Sequence, residues 1–434
     1  MIVLVSSLLV GCQTSSNTGE SKDATETING NTETAESENN TSDAKLTVWM
    51  YGWETGATEL MKKDAKEYEE KTGVAIEIVP VSSDSYSTKL QATLAGGTNP
   101  DIAVIDAGNM SIQMAAKDVL LELDEFGVEE YKDRFYESVW NDMVYDGKVH
   151  GLRITANNLG LYYNKEMFDE HGLEYPTEDW TWEDLREAAK ILTDEENSIF
   201  GLDLPISNET GGYTFVWLPF LWQNNGELLS EDRTQAAFNS EAAAEALEFW
   251  KVMAQEDKSV PLQVPATGVN RFASGIVAMT IDGPWNLSTY VADPEFKDKF
   301  GVAPLPQQET RATVIGGEGF SIFKNTKYPQ EAYDYLVHLT CSDFTKELWK
   351  EWITIPPQPE YVDFYKDNTE LGEYIQVFSD QMEVARNRQF TPTWPKIVNA
   401  LATGLQDYMY DVTDAPMKAL EKTAQDVNKI LSAE

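Results

Sequence analysis

From Lys45 onward the chain alternates between short β-prone apolar runs and longer stretches with helical spacing, and this alternation constrains the fold most. Lys45–Tyr51 (Lys-Leu-Thr-Val-Trp-Met-Tyr) predicts a strand. Residues 59–71 place Leu60, Ala65 and Tyr68 on one side with charges between them, which predicts a helix, and Gly73 closes it. Residues 74–79 predict a second strand, residues 85–94 a helix closed by Gly96-Gly97, and residues 100–105 a third strand. Strand and helix in turn imply an α/β fold, with a parallel sheet and crossover helices. The second half continues the pattern. Thr181-Trp-Glu-Asp184 has capping-box spacing ahead of a helix over 185–192, and Asn239 or Ser240 caps a helix over 242–255. Residues 277–281 predict a strand running into Gly283-Pro284-Trp285. With 434 residues, no internal repeat and no long linker after residue 44, the chain can build two substantial cores.

The first 44 residues read differently. Residues 2–9 are largely apolar and run into Val10-Gly11-Cys12. Leu9-Val10-Gly11-Cys12 resembles a bacterial lipobox, which implies a signal peptide over 1–11, cleavage before Cys12 and diacylation of its sulfur. The basic n-region of such a leader is missing, so the true start is expected upstream of Met1. The apolar run is too short to span a bilayer, which takes roughly 20 residues. The stretch after Cys12 is rich in Ser, Thr, Asn and Glu and has no aromatic residue before Trp49. It cannot bury enough apolar surface to offset its ordering entropy, so residues 12–44 are expected to be a lipidated, disordered tether. Its root-mean-square reach would be about 30 Å.

Charge and cysteine content exclude several classes. There are 33 basic and 73 acidic residues, a formal net charge of −40, which repels nucleic acid and anionic lipid at long range. If Cys12 carries lipid, Cys341 has no internal disulfide partner and reads as a small core residue. Three histidines and one free thiol do not supply a zinc ligand set, and no metal or other cofactor is expected. The acidic turn Asp194-Glu-Glu-Asn197 lacks an EF-hand pattern and reads as solvated surface.

Several segments in a fixed order then carry a resemblance. They are the strand over 46–51 with Gly52-Trp53, and Leu-Gln-Ala-Thr-Leu-Ala-Gly-Gly-Thr-Asn-Pro-Asp over 90–101. Gly160-Leu-Tyr-Tyr-Asn-Lys165 follows, with Pro176 and Thr181-Trp-Glu-Asp-Leu185, then Leu221-Trp-Gln-Asn-Asn-Gly226. Ala278-Met279 with Gly283 and Trp285, Gly316-Gly317, residues 320–324 and a C-terminal helix over 415–431 complete the set. The chain resembles the extracellular solute-binding proteins of ABC importers, family 1, the carbohydrate type that includes maltodextrin-binding proteins. One departure is Arg153 in Gly151-Leu-Arg153, where the family usually has Pro; it is expected to face the ligand or to pair at the surface.

The resemblance implies a two-lobe, periplasmic-binding-protein-like type II fold with a hinge and an interdomain ligand cleft. The N-terminal lobe would hold 45–156 plus 316–362, and the C-terminal lobe 157–315 plus 363–434. Crossings would fall near 155–158 and 315–317, with a third between 360 and 371, and Gly316-Gly317 would serve as a hinge. A monomer tethered to the outer face of the cell membrane through Cys12 would close on a carbohydrate and dock on permease subunits, with no bond made or broken and no nucleic-acid partner.

Ligands of such sheets sit beyond the carboxyl ends of strands. A sugar presents C–H faces to aromatic plates and hydroxyls to carboxylates and amides. Candidates by position are Trp53, Asp84, Tyr86, Asp106, Asn157, Asn158, Trp222, Asp282, Trp285, Glu318, Arg388 and Trp394. Each has a plain alternative. Trp53 and Trp222 fit core packing; Asp106 fits a helix cap, a role Asn109 competes for; Asn157 and Asn158 fit hinge hydrogen bonds. Trp349 and Trp352, at helical spacing, read as core. Three rival functions remain open, one of them an adhesion or sensory protein of the same fold. Asp282 and Glu318 could be a glycosidase pair, which needs carboxylates roughly 5–9.5 Å apart. A glycerol phosphate or similar solute would want a cleft arginine such as Arg153 or Arg388.

Overall fold

In a computed structural model the described residues are 43–51, 55–206, 211–262, 270–367 and 371–433. Cys12 and Trp53 therefore lie outside the described residues, as does the side chain of Asp84.

The first sheet has the strand order Ala75–Val81, Lys45–Tyr51, Ile102–Asp106, Glu318–Ile322, Leu152–Arg153. The first three strands are parallel, as the alternation predicts. Glu318–Ile322 runs antiparallel to both of its neighbours, so the all-parallel expectation fails here. The cause is connectivity. This strand arrives from the second sheet rather than through a crossover helix, so it enters from the opposite end. Helix Thr55–Thr72 packs on this sheet and against helix Asp343–Trp352.

The second sheet is mixed as well, in the order Phe300–Ala303, Gly160–Asn164, Val277–Asp282, Phe200–Asp203, and only the last two strands pair in parallel. The capping box forms as read. Thr181 Oγ1 accepts from the Asp184 amide and starts helix Trp182–Ile191. Ser240 caps helix Glu241–Lys251. Helices Gly211–Gln223, Trp394–Met409 and Pro416–Leu431 complete this half.

The apolar interior is not divided sheet by sheet. One cluster runs from Leu46, Val48 and Val104 through Ile355, Ile375 and Phe378 to Tyr162, Tyr290 and Phe300 on one face of the second sheet. The other fills the remaining face with Trp217, Trp222, Trp250 and Leu401. The bridge between sheets is helix Gly372–Asp380. Phe378 sits 5.9 Å from the Tyr162 ring, and Tyr374 stacks on Phe300 at 4.7 Å. Burying one such aromatic stabilises by about 1.5–3 kcal/mol. The cleft therefore opens beside an apolar joint, not along the whole boundary.

Two further segments cross between the sheets as an antiparallel pair. The Asn157 and Gly316 backbones exchange hydrogen bonds of 2.9 and 2.7 Å, and the Ala156 amide donates to Ile355 O at 2.9 Å. Gly317 has φ +119°, and a Cβ there would stand 2.7 Å from Thr155 O, so only glycine fits this close crossing.

Arg153 lies behind this pair and is 1% exposed. Its Nε donates to Thr155 O at 3.1 Å, one terminal nitrogen to Gly316 O at 2.5 Å, and the other to the Asp142 carboxylate at 2.9 Å. Both readings of Arg153, ligand contact and surface pairing, are thus corrected. A guanidinium presents donors in a fixed fork, and here the fork ties both crossing segments to the first sheet's surroundings.

Candidate functional site

Two connected cavities of about 550 Å³ each open between the sheets. They share Asn157, Trp285 and Glu318. The first is completed by Tyr51, Thr155, Ser288, Thr289, Trp352 and Thr354, the second by Asp106, Asn109, Phe215, Arg388, Trp394 and Asn399. Each volume lies in the range of small-molecule sites, which run about 300–1,000 Å³.

Trp285 is positioned by the turn Pro284–Asn286 directly after strand Val277–Asp282. It is 43% exposed, unusual for a tryptophan, and its ring stands 6.4 Å from Phe215. The ring folds back over Gly283, where a Cβ would meet it at 2.0 Å, so the glycine is what lets the plate lie there. Asp282 does not line either cavity. Its carboxylate turns back to accept from the Gly283 amide at 2.8 Å and from Asn286 Nδ2 at 2.5 Å, holding the turn that presents Trp285. Burial pushes the Asp282 carboxyl up to about 6, against those hydrogen bonds.

That shift has a testable sign. The unfolded carboxyl loses its proton near pH 4, the folded one near 6, so within that window the folded chain holds more protons and this group's contribution falls as pH rises. Asp282→Asn will therefore gain about 2 kcal/mol on the wild type between pH 4 and pH 7. Urea unfolding of both proteins at several pH values reads the difference. Any constant offset from altered hydrogen bonds cancels, and a difference that does not change with pH would refute the buried-carboxyl account.

Glu318 and Asp106 are cross-strand partners in register, so two carboxylates lie side by side on the cleft wall. Glu318 accepts from Thr155 Oγ1 at 2.6 Å. Burial pushes its carboxyl up, and Asp106 adds to that while the Thr155 hydrogen bond opposes it. Asp106 accepts from Asn109 Nδ2 at 2.9 Å, yet neither residue caps the helix that follows: Gly108 holds that position and its amide donates to Ser111 Oγ. Asn157 serves the wall and the crossing at once, its Oδ1 accepting from Thr354 at 2.8 Å. Arg388 and Trp394 both line the second cavity.

Three other candidates stand behind the wall. Tyr86 is 1% exposed, donates to Val104 O at 2.8 Å and packs at 4.4 Å on Tyr51, which takes the cavity position instead. Asn158 is buried and donates to Phe378 O at 2.7 Å, tying the first crossing to the bridging helix. Trp222 is a core residue with the Arg386 guanidinium 5.1 Å from its ring; Phe215, two turns nearer the cleft on the same helix, is the aromatic that reaches the cavity.

Sequence reasoning missed Trp352. Trp349 is core and its Nε1 donates to Ile154 O at 2.6 Å, but Trp352 is half-buried on the wall of the first cavity. Its helix ends there because Ile353 turns left-handed at φ +47°, a strained conformation for a β-branched residue and one with no sequence signal. Tyr51 was findable, since it ends a strand whose carboxyl end faces the cleft.

The sequence pattern of the bacterial extracellular solute-binding proteins matches residues 52–341. The chain belongs to that family. Among relatives of this solute-binding protein, a Brucella abortus binding protein is 28% identical over 398 residues, 90% of this chain and 93% of that one. Two solved structures share its fold. The cyclic α-maltosyl-1,6-maltose binding protein of Arthrobacter globiformis superposes with a TM-score of 0.78 at 27% identity, covering 90% of this chain and all of that one. An ABC transporter solute-binding protein of Thermotoga lettingae, bound with α-D-tagatose, gives 0.77 at 27% identity, covering 89% and 100%. The two-lobe fold of this solute-binding protein is thereby shown, with the cleft between its lobes.

Proposed function

We propose that this chain is a lipid-anchored receptor that captures a sugar or short oligosaccharide between its lobes and delivers it to the permease of an ABC importer. One observation carries the reading. The cleft pairs aromatic plates, Trp285 and Trp352, with a rim of carboxylates, amides and hydroxyls from Asp106, Glu318, Asn157 and Thr155. That is the surface a polyhydroxylated ring with apolar faces requires. The tagatose bound to the Thermotoga protein, and the cyclic maltosyl-maltose for which the Arthrobacter protein is a binding protein, support the same class. We assign ligand contact to Asp106, Asn157, Trp285, Glu318, Arg388 and Trp394, and a supporting role to Tyr86, Asn158, Trp222 and Asp282.

The lobes would meet at the crossings near 157 and 316, with the monomer held at the outer membrane face through Cys12. Labelled fatty acid entering the wild type and not Cys12→Ser tests the anchor. Binding without turnover is favoured over glycosidase chemistry by position. Asp282 is turned away behind Trp285, and Asp106 and Glu318 share one wall, so neither pairing flanks a bond across the cleft.

A thermal-shift panel of mono- and oligosaccharides, tagatose and maltotriose among them, tests the function. A ligand at 100 times its dissociation constant stabilises the fold by about 2.7 kcal/mol. At least one sugar is expected to produce that rise. A panel in which no sugar raises the melting temperature removes the proposal.

A further inference from the structure

Two arginines lie close to the crossing and differ in what they bind. Arg153 has all its nitrogens engaged by protein oxygens. Arg388 donates a hydrogen bond to no protein atom among the described residues. Its side chain is 13% exposed and lies between the rings of Phe215 and Phe390, at 4.9 and 4.5 Å from their centroids. Its Nε is buried without a partner, and its nearest carboxylate oxygen, on Asp106, is 4.0 Å away. A buried guanidinium with idle donors is costly unless something else accepts from it. Asp106 has one oxygen engaged by Asn109 and the other turned to Arg388. Both residues line the second cavity.

We infer that Asp106 and Arg388 together read two adjacent hydroxyls of an uncharged sugar, and that the same cavity turns away anionic solutes. The inference rests on the sugar-binding reading above and narrows it. A hydroxyl both donates and accepts, so one can donate to Asp106 while its neighbour accepts from Arg388. An anion fares worse. Arg388 is already compensated by Asp106, and Glu318 lies in register beside Asp106, so the wall presents two carboxylates against one guanidinium. The neighbouring Arg153–Asp142 pair cancels itself. A uronate or phosphate placed against Arg388 meets like charge from both carboxylates of that wall.

The test is calorimetric and thermal-shift binding of matched pairs: glucose with glucuronate, galactose with galacturonate, maltotriose with its terminal-uronate counterpart, and glycerol with glycerol phosphate. The wild type is expected to bind a neutral sugar at least tenfold more tightly than its acid partner. Arg388→Met is expected to weaken that sugar at least tenfold while its unliganded melting temperature holds or rises, because the variant removes a buried guanidinium whose Nε has no hydrogen-bond acceptor in the protein. Tighter binding of an acid, or unchanged sugar binding by Arg388→Met, overturns the inference and leaves the sugar-binding reading standing. A clear fall in the unliganded melting temperature of Arg388→Met assigns the residue to the fold and also overturns it. Silence across the whole panel rejects the sugar-binding reading and the inference together.

Discussion

Trp285→Ala will abolish most sugar affinity and leave the fold nearly untouched. The two halves of that expectation come from one fact: the ring is 43% exposed, so truncation removes little buried contact from the unliganded chain. It stands on the wall of both cavities, so any ligand that enters either meets it. An aromatic anchor fully covered by a ligand is typically worth about 2–3 kcal/mol, or roughly 30- to 150-fold in dissociation constant. Trp285→Phe should recover most of this, because a phenyl face still covers the C–H face of a sugar. Titration calorimetry with the sugar found in the panel reads the affinity, and urea unfolding reads the fold. Equal affinity in wild type and Trp285→Ala would remove Trp285 from the site. Trp352 gives a less clean test. It is half-buried at the end of a helix packed on helices Thr55–Thr72 and Pro329–Cys341, so its loss would disturb stability as well as binding.

The same residues show what the sequence could and could not reveal. Strands such as Lys45–Tyr51 and the capping box at Thr181 were legible because their causes are local: side-chain type, period and a cap three residues away. Gly317 was legible as a position that needs glycine, and its φ of +119° and close approach to Thr155 O are the reason. The direction of Glu318–Ile322 was not, since it depends on where the chain comes from and not on its composition. Trp349 and Trp352 share a helix and a residue type, yet one is core and one is wall. The difference is set by where the helix ends and by what the first sheet leaves uncovered. Asp282 had the right address at a strand end, but the turn after it needed an acceptor more than the cleft did. Arg153 was the least legible of all. Its three partners come from residues 142, 155 and 316, which nothing short of the folded chain brings together.

Arg153 is also where a single change should do most harm to the fold. It is 1% exposed and its partner Asp142 is 3% exposed, so the ion pair is shielded from solvent. Burial pushes the Asp142 carboxyl up, and Arg153 and Arg388 pull it back, with Asn387 Nδ2 donating at 2.5 Å. Removing Arg153 leaves a buried carboxylate short of its main counter-charge and two backbone carbonyls without that donor. Breaking one side of a buried pair costs about 3–5 kcal/mol, so Arg153→Met should lower stability by that amount in urea unfolding. The penalty should shrink in acid. Without Arg153 the folded Asp142 holds its proton to higher pH than the unfolded chain does, so the variant loses stability as pH rises above about 4. Asp142→Asn in the Arg153→Met background should recover part of the loss at neutral pH, since it removes the stranded charge. Because the fork grips the Thr155 and Gly316 carbonyls on the two crossing segments, the damage should reach the crossing as well. Sugar affinity in Arg153→Met would then fall even though Arg153 touches neither cavity. A variant as stable as the wild type at neutral pH would mean that water replaces the guanidinium, and that the crossing is held by Asn157 and Gly316 alone.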